Sequence, residues 1–95
     1  EETYMDGKKY GLFTKWYNNG QKESELTFKD GKKDGLNTSW YKNGKKESEG
    51  NYKYGEEDGL WTWWYENGQK EREITYKGGE LINIVEWNED GSVWD

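Results

Sequence analysis

The side chains of this chain that could do chemistry are carboxylates, lysines and aromatic rings, and they recur as a set. Glutamates two apart occur as Glu23/Glu25, Glu47/Glu49 and Glu71/Glu73. Two carboxylates flanking a sugar could cleave a glycoside, one as acid and one as base or nucleophile. Each pair is a copy of the others, so none stands out as a catalytic site. There is no His to act as general base or metal ligand and no Cys to act as nucleophile or thiolate ligand. Gly-x-Ser-x-Gly and Gly-Lys-Ser/Thr are also absent. Glu56-Glu57-Asp58 is an acidic cluster without the ligand spacing of an EF-hand. The residues therefore predict no enzyme, no cofactor and no metal.

What remains is binding. Seven Trp and eight Tyr supply large apolar rings in a chain whose hydrophobic fraction is only 29%. Those rings argue for a folded chain, because segments too polar to fold are poor in aromatics. The formal charge of −6 opposes nucleic acid and favours a basic protein partner. No run approaches the roughly 18 apolar residues of a membrane span. The chain begins without Met and inside a repeat, which implies that residues are missing upstream. A cytoplasmic setting is the working expectation, with secreted or envelope-associated settings left open by that N-terminus.

The elements that must position these groups follow from a repeat. Trp16-Tyr17-Asn18-Asn19-Gly20-Gln21-Lys22-Glu23 returns as Trp40–Glu47 and Trp64–Glu71, each time after 24 residues. Apolar and polar residues alternate before the Trp-Tyr pair, as in Leu36-Asn37-Thr38-Ser39-Trp40, which predicts strands. Asn-Gly in the middle predicts a hairpin. The repeats are 5–28, 29–52 and 53–76, after a partial unit 1–4 and before an atypical capping unit 77–95. The Trp64-to-Trp87 step in that last unit is one residue short. A three-residue turn, with Gly20 as a left-handed bulge, pairs Tyr17 with Gln21. Carried straight through, this register puts Leu12, Trp16, Leu26, Phe28, Leu36, Trp40, Tyr52, Leu60, Trp64, Ile74 and Tyr76 on an inner face. An outer face then carries Glu23, Glu25, Glu47, Glu49, Glu71 and Glu73 beside Tyr17, Tyr41, Tyr65, Trp61 and Trp63.

Tyr-x-x-Gly-x-x-x-Gly-Leu followed by Trp-Tyr-x-Asn-Gly-Gln resembles the MORN-repeat superfamily, in particular its bacterial variant. Tyr17–Gln21 and Tyr65–Gln69 carry the turn motif intact, and Tyr41–Lys45 has Lys for Gln. The resemblance implies an all-β chain of tandem antiparallel hairpins in an elongated, twisted open sheet used for binding. It further implies scaffold, membrane-associated or antitoxin- and immunity-like roles. The motif residues are structural, so no family site carries over.

Specificity is then expected where the copies differ. Trp61 and Trp63 stand where other units have Phe13/Lys15 and Asn37/Ser39. The candidate partner-binding residues are Trp61, Trp63, Tyr65, Tyr41, Tyr17, Glu47, Glu49, Glu71 and Glu73. The expected partner is a basic protein, with no nucleic acid and no transmembrane segment. A carbohydrate or envelope ligand and a membrane lipid are the alternatives, and the open sheet edges leave room for an edge-to-edge homodimer.

Overall fold

The computed structural model describes residues 3–5 and 7–93, with side chains from Gly7 to Val93. Glu1 and Glu2 of the partial N-terminal unit, and Trp94 and Asp95 of the C-terminal unit, lie outside the described residues. The chain is all-β. Its strands are β1 (Thr3–Met5), β2 (Lys8–Trp16), β3 (Lys22–Lys29), β4 (Lys32–Trp40), β5 (Lys46–Lys53), β6 (Glu56–Trp64), β7 (Lys70–Lys77) and β8 (Glu80–Glu86). They form one open antiparallel sheet in sequence order, β1 through β8. The principal extents of 49 × 36 × 11 Å describe a single layer. No second layer covers either face among the described residues.

Two turn types alternate along the chain. At the Trp-Tyr end the three-residue turn forms as the sequence predicts. The amide of Tyr17 donates to the carbonyl of Gln21 at 2.8 Å, and Tyr41–Lys45 and Tyr65–Gln69 repeat the contact. Gly20, Gly44 and Gly68 sit at φ near 90° there, a region closed to most L-residues. At the other end, two-residue turns have positive φ at both positions, including Asp30 (52°) and the exposed Tyr54 (54°).

The register beyond the turn differs from the straight continuation. Trp16 pairs with Lys22, but Lys15 pairs with Ser24 and Thr14 with Glu25, so Glu23 is an inserted bulge residue. The same shift recurs between Ser39 and Trp40 and between Trp63 and Trp64. One extra residue flips everything after it to the other face. The expected inner and outer faces are therefore each a mixture. One true face carries Phe13, Leu26, Phe28, Tyr52, Trp61, Trp63, Ile74 and Tyr76. The other carries Leu12, Leu36, Leu60, Trp16, Trp40 and Trp64, together with Glu25, Glu49 and Glu73.

This corrects the expected core. Trp61 and Ile74 are the buried hydrophobic residues, at 4% and 6% exposure, whereas Trp16, Leu12, Leu36 and Leu60 are about half exposed. Trp61, expected on an outer recognition face, is the most buried ring. The bulge leaves a signature in the sequence. In a regular strand, residues i and i+3 face opposite ways. Here Lys22 reaches Glu25 at 2.6 Å, Lys46 reaches Glu49 at 2.9 Å and Lys70 reaches Glu73 at 2.7 Å, because the intervening bulge returns both ends to one face.

A second irregularity lies midway along the strands. Leu26 pairs with Asn37 and Phe28 with Lys33, so four steps on β4 oppose two on β3. β6 repeats this against β5. On β8 the same place holds one residue fewer, Thr75 and Tyr76 facing Asn83 and Leu81. The short last repeat thus loses its residue from a bulge, and the ladder on either side keeps its pairing.

Candidate interaction surface

The face around Trp61 is built by one substitution of size. Along the row that crosses the sheet through Phe13, Leu26, Asn37, Gly50, Trp61, Ile74 and Ile84, only Gly50 lacks a side chain. A Cβ on Gly50 would stand 2.0 Å from Cδ2 of Trp61, so the indole lies across that glycine. The ring is fixed on all sides. It meets Tyr52 and Tyr76 edge-on at 4.9 and 6.4 Å, and stacks on Trp63 at 5.9 Å. Its Nε1 donates to the carbonyl of Asn51 at 3.0 Å. The guanidinium of Arg72, the chain's one arginine, lies 5.5 Å from the centre of the Trp63 ring. At the far end of this face Phe13 and Phe28 meet edge-on at 5.0 Å beneath the Lys9 ammonium. Trp61 therefore offers no free ring to a sugar or a partner.

The recurring Tyr and Asn of the motif are straps between hairpins. Tyr17, Tyr41 and Tyr65 donate their hydroxyls to the carbonyls of Trp40, Trp64 and Trp87 at 2.6, 2.6 and 2.7 Å. Asn19 and Asn67 donate side-chain amides to the carbonyls of Lys42 and Glu89. Burial raises all three tyrosine hydroxyls above their usual pKa. Glu23 and Glu47 add to the effect at Tyr17, Glu47, Glu71 and Glu66 at Tyr41, and Glu71, Glu89 and Glu86 at Tyr65. A hydroxyl already donating to a carbonyl has no second proton for a partner.

The expected carboxylate stripe divides as well. Glu25, Glu49 and Glu73 are held by lysines, and Glu49 also accepts from the Thr38 hydroxyl at 3.2 Å. Glu47 and Glu71 occupy bulges, with Glu71 accepting from Arg72 at 3.3 Å. The nine candidates thus fall into a buried ring, a ring stacked on it, three straps, two glutamates paired with lysines and two bulge glutamates, one of them paired with Arg72. They do not form one patch.

The opposite face holds what the sequence reading missed. Leu12, Leu36 and Leu60 form one row at 48%, 50% and 53% exposure, and Trp16, at 57%, begins a second row continued by Trp40 and Trp64. The Lys22 ammonium sits 6.0 Å from the centre of the Trp16 ring and 5.9 Å from that of Trp40, between the two. Lys70 lies over Trp87 at 5.8 Å. The shallow spaces between these rings are lined by Trp16, Gly20, Gln21, Lys22, Trp40 and Gly44, and in the next unit by Lys45, Lys46, Trp64 and Gly68. Among the described residues no cluster of three or more acidic side chains is placed to hold a metal ion, and no helix is long and apolar enough to cross a membrane.

The repeat geometry has a counterpart among known families. The MORN repeat variant matches residues 9–30, 33–54 and 57–77, well over half of the chain. The chain belongs to the MORN repeat variant family. Its three matched units each run from the second residue of β2, β4 or β6 through the strapped turn to the end of β3, β5 or β7 or one residue past it. MORN repeats are generally interaction or membrane-binding modules. No curated protein and no solved structure matches the chain.

Proposed function

We propose that this MORN repeat chain is a non-catalytic protein-interaction module that docks a basic partner in the manner of an antitoxin or immunity protein. The docking face is the one bearing Leu12, Leu36, Leu60 and Trp16. One observation carries this reading: Leu12, Leu36 and Leu60 stand about half exposed at the same place in three successive repeats, with Trp16 exposed on the same face. Large apolar side chains left exposed at repeating positions on one face, here alternating with Thr27, Asn51 and Thr75, are candidates for an interaction surface. A repeating flat face suits a partner that also presents an extended surface. Glu25, Glu49 and Glu73 lie on that face, each paired with a lysine, and it is the chain's net charge of −6 that favours a basic partner.

A photo-crosslinking amino acid placed at Trp16 and, separately, at Lys15 tests the assignment. The two positions are adjacent, both exposed, and on opposite faces. Crosslinks to a protein from position 16 and none from position 15 support it; equal capture from both refutes it. A second reading, attachment to a membrane surface, draws on the Trp16–Lys22–Trp40 alternation, since Trp and Lys favour the lipid–water interface. Co-sedimentation of the chain with anionic vesicles, lost in Trp16→Ser, favours that reading instead.

A further inference from the structure

The face that buries Trp61 carries, over β2 to β4, a hollow that the chain leaves unfilled. The reason lies in the repeat. At the 24-residue step, Phe13 and Lys15 become Asn37 and Ser39, and then Trp61 and Trp63. In the third unit the indole of Trp61 reaches back over β5 and covers Gly50. In the second unit Asn37 stands at that place, opposite Leu26 on β3, and a short amide replaces the indole. A space of about 340 Å³ is left, walled by the half-buried side chains of Phe13, Leu26 and Phe28. Small-molecule sites begin at roughly 300 Å³, so the space suits a body of one or two rings.

Its rim is cationic. Lys9, Lys15 and Lys33 line the hollow, and among the described residues no acidic side chain does. None of the three is ion-paired with a described carboxylate. The Lys9 ammonium lies 5.5 and 5.0 Å from the centres of the Phe13 and Phe28 rings, and that of Lys33 lies 4.9 Å from the centre of Tyr52. The third copy of Lys9 and Lys33 is Glu57, so the charge changes sign along the face. The whole chain has the same trend: residues 1–49 hold ten lysines and nine carboxylates, residues 50–95 four cations and eleven carboxylates. Three ammonium groups around one space, with no counter-charge lining it, favour an anion there. Two polar groups are also unengaged. Ser39 and Ser48 hydrogen-bond to each other, whereas the side chains of Ser24 and Asn37, which line the hollow, make no hydrogen bond among the described residues.

We propose that this hollow binds a small aromatic carboxylate, its ring laid against Leu26 and Phe28 and its carboxylate held among Lys9, Lys15 and Lys33. Ser24 and Asn37 supply the hydrogen bonds that orient it. The chain itself shows the shape of body this face accepts, since its own filler one unit on is a flat indole. The hollow lies on the face opposite Leu12, Leu36 and Leu60, so docking there and binding here stand or fall separately.

The test uses the whole chain at low salt with three probes, indoleacetate, tryptamine and acetate, followed by chemical shifts. Tryptamine keeps the ring and reverses the charge; acetate keeps the charge and loses the ring. Indoleacetate is expected to shift the Asn37 side-chain amide and the backbone amides around it saturably, and the other two to bind at least about tenfold more weakly. Lys15→Gln with Lys33→Gln, both at exposed positions, should weaken indoleacetate about tenfold and leave the melting temperature unchanged. Asn37→Trp places the third unit's residue in the hollow and should abolish binding. If that variant does not fold, the lysine pair carries the test alone. Equal binding of indoleacetate and tryptamine, shifts at the Trp16 and Trp40 indoles in place of Asn37, undiminished binding in either variant, or no saturable shift overturns the proposal.

Discussion

Gly50→Ala is the sharpest test of how this single-layer sheet holds together. In a strand, alanine is ordinarily preferred to glycine by about 0.5–1 kcal/mol, so an unobstructed site would gain stability. Here the added Cβ would lie 2.0, 2.3 and 2.4 Å from Cδ2, Cε2 and Cγ of Trp61, distances that no flexible chain end can relieve. The indole is held by Tyr52, Trp63, Tyr76 and the Asn51 carbonyl, so it must leave its place as a unit. Losing a buried Trp costs about 3–5 kcal/mol, which leaves a net loss of about 2–4 kcal/mol. For a domain of this size that lowers the melting temperature by about 10 °C or more. Thermal unfolding by circular dichroism, with urea denaturation followed by Trp fluorescence, measures it. The interpretation also fixes a coupling: Trp61→Leu alone should destabilise, and adding Gly50→Ala to it should cost nothing further. A Gly50→Ala chain as stable as the parent, or additive losses in the double variant, would refute the account.

Three further outcomes follow from the straps and ion pairs. Tyr41→Phe removes the hydroxyl donated to the Trp64 carbonyl at 2.6 Å and should cost about 1 kcal/mol, seen as a fall of about 4–8 °C in melting temperature. Lys46→Met should change stability by less than about 1 kcal/mol, because the 2.9 Å pair with Glu49 is partly exposed, and the small effect should vanish in high salt. Tyr17, Tyr41, Tyr65 and Tyr76 hold their protons more tightly when folded than the ordinary value of 10.0, chiefly through burial. The unfolded chain therefore ionises first, so their stabilisation is whole below pH 10 and falls as pH rises through the folded values. Alkaline titration by circular dichroism should show this decline, and replacing Tyr17, Tyr41 and Tyr65 together by Phe should flatten it.

The fold was legible in the sequence because its determinants are local. Asn-Gly at a fixed step dictates a turn with positive φ, alternation of side chains dictates strands, and three similar units in tandem stack. The Tyr17–Gln21 contact was expected as well, from choosing the turn that separates apolar side chains from carboxylates. The faces did not follow, because one inserted residue at Glu23, Glu47 or Glu71 reverses the orientation of all that comes after it. A pattern-based register weighs apolar segregation and cannot see an insertion that repeats in every unit. The Lys-Glu-x-Glu spacing held the missing clue, since Lys22 and Glu25 can meet only across a bulge.

The burial of Trp61 was hidden from the sequence for a related reason. Trp61 and Trp63 depart from the repeat, and departures invite a functional reading. Tertiary structure gives Trp61 a packing partner instead, the vacancy above Gly50 on the neighbouring strand. By itself, the sequence determined the strand order, the turn chemistry and the acidic C-terminal half, all properties of residues close in the chain. Only the tertiary structure decided which rings are covered and which stand open, because in a single-layer sheet burial depends on the side chain one strand over.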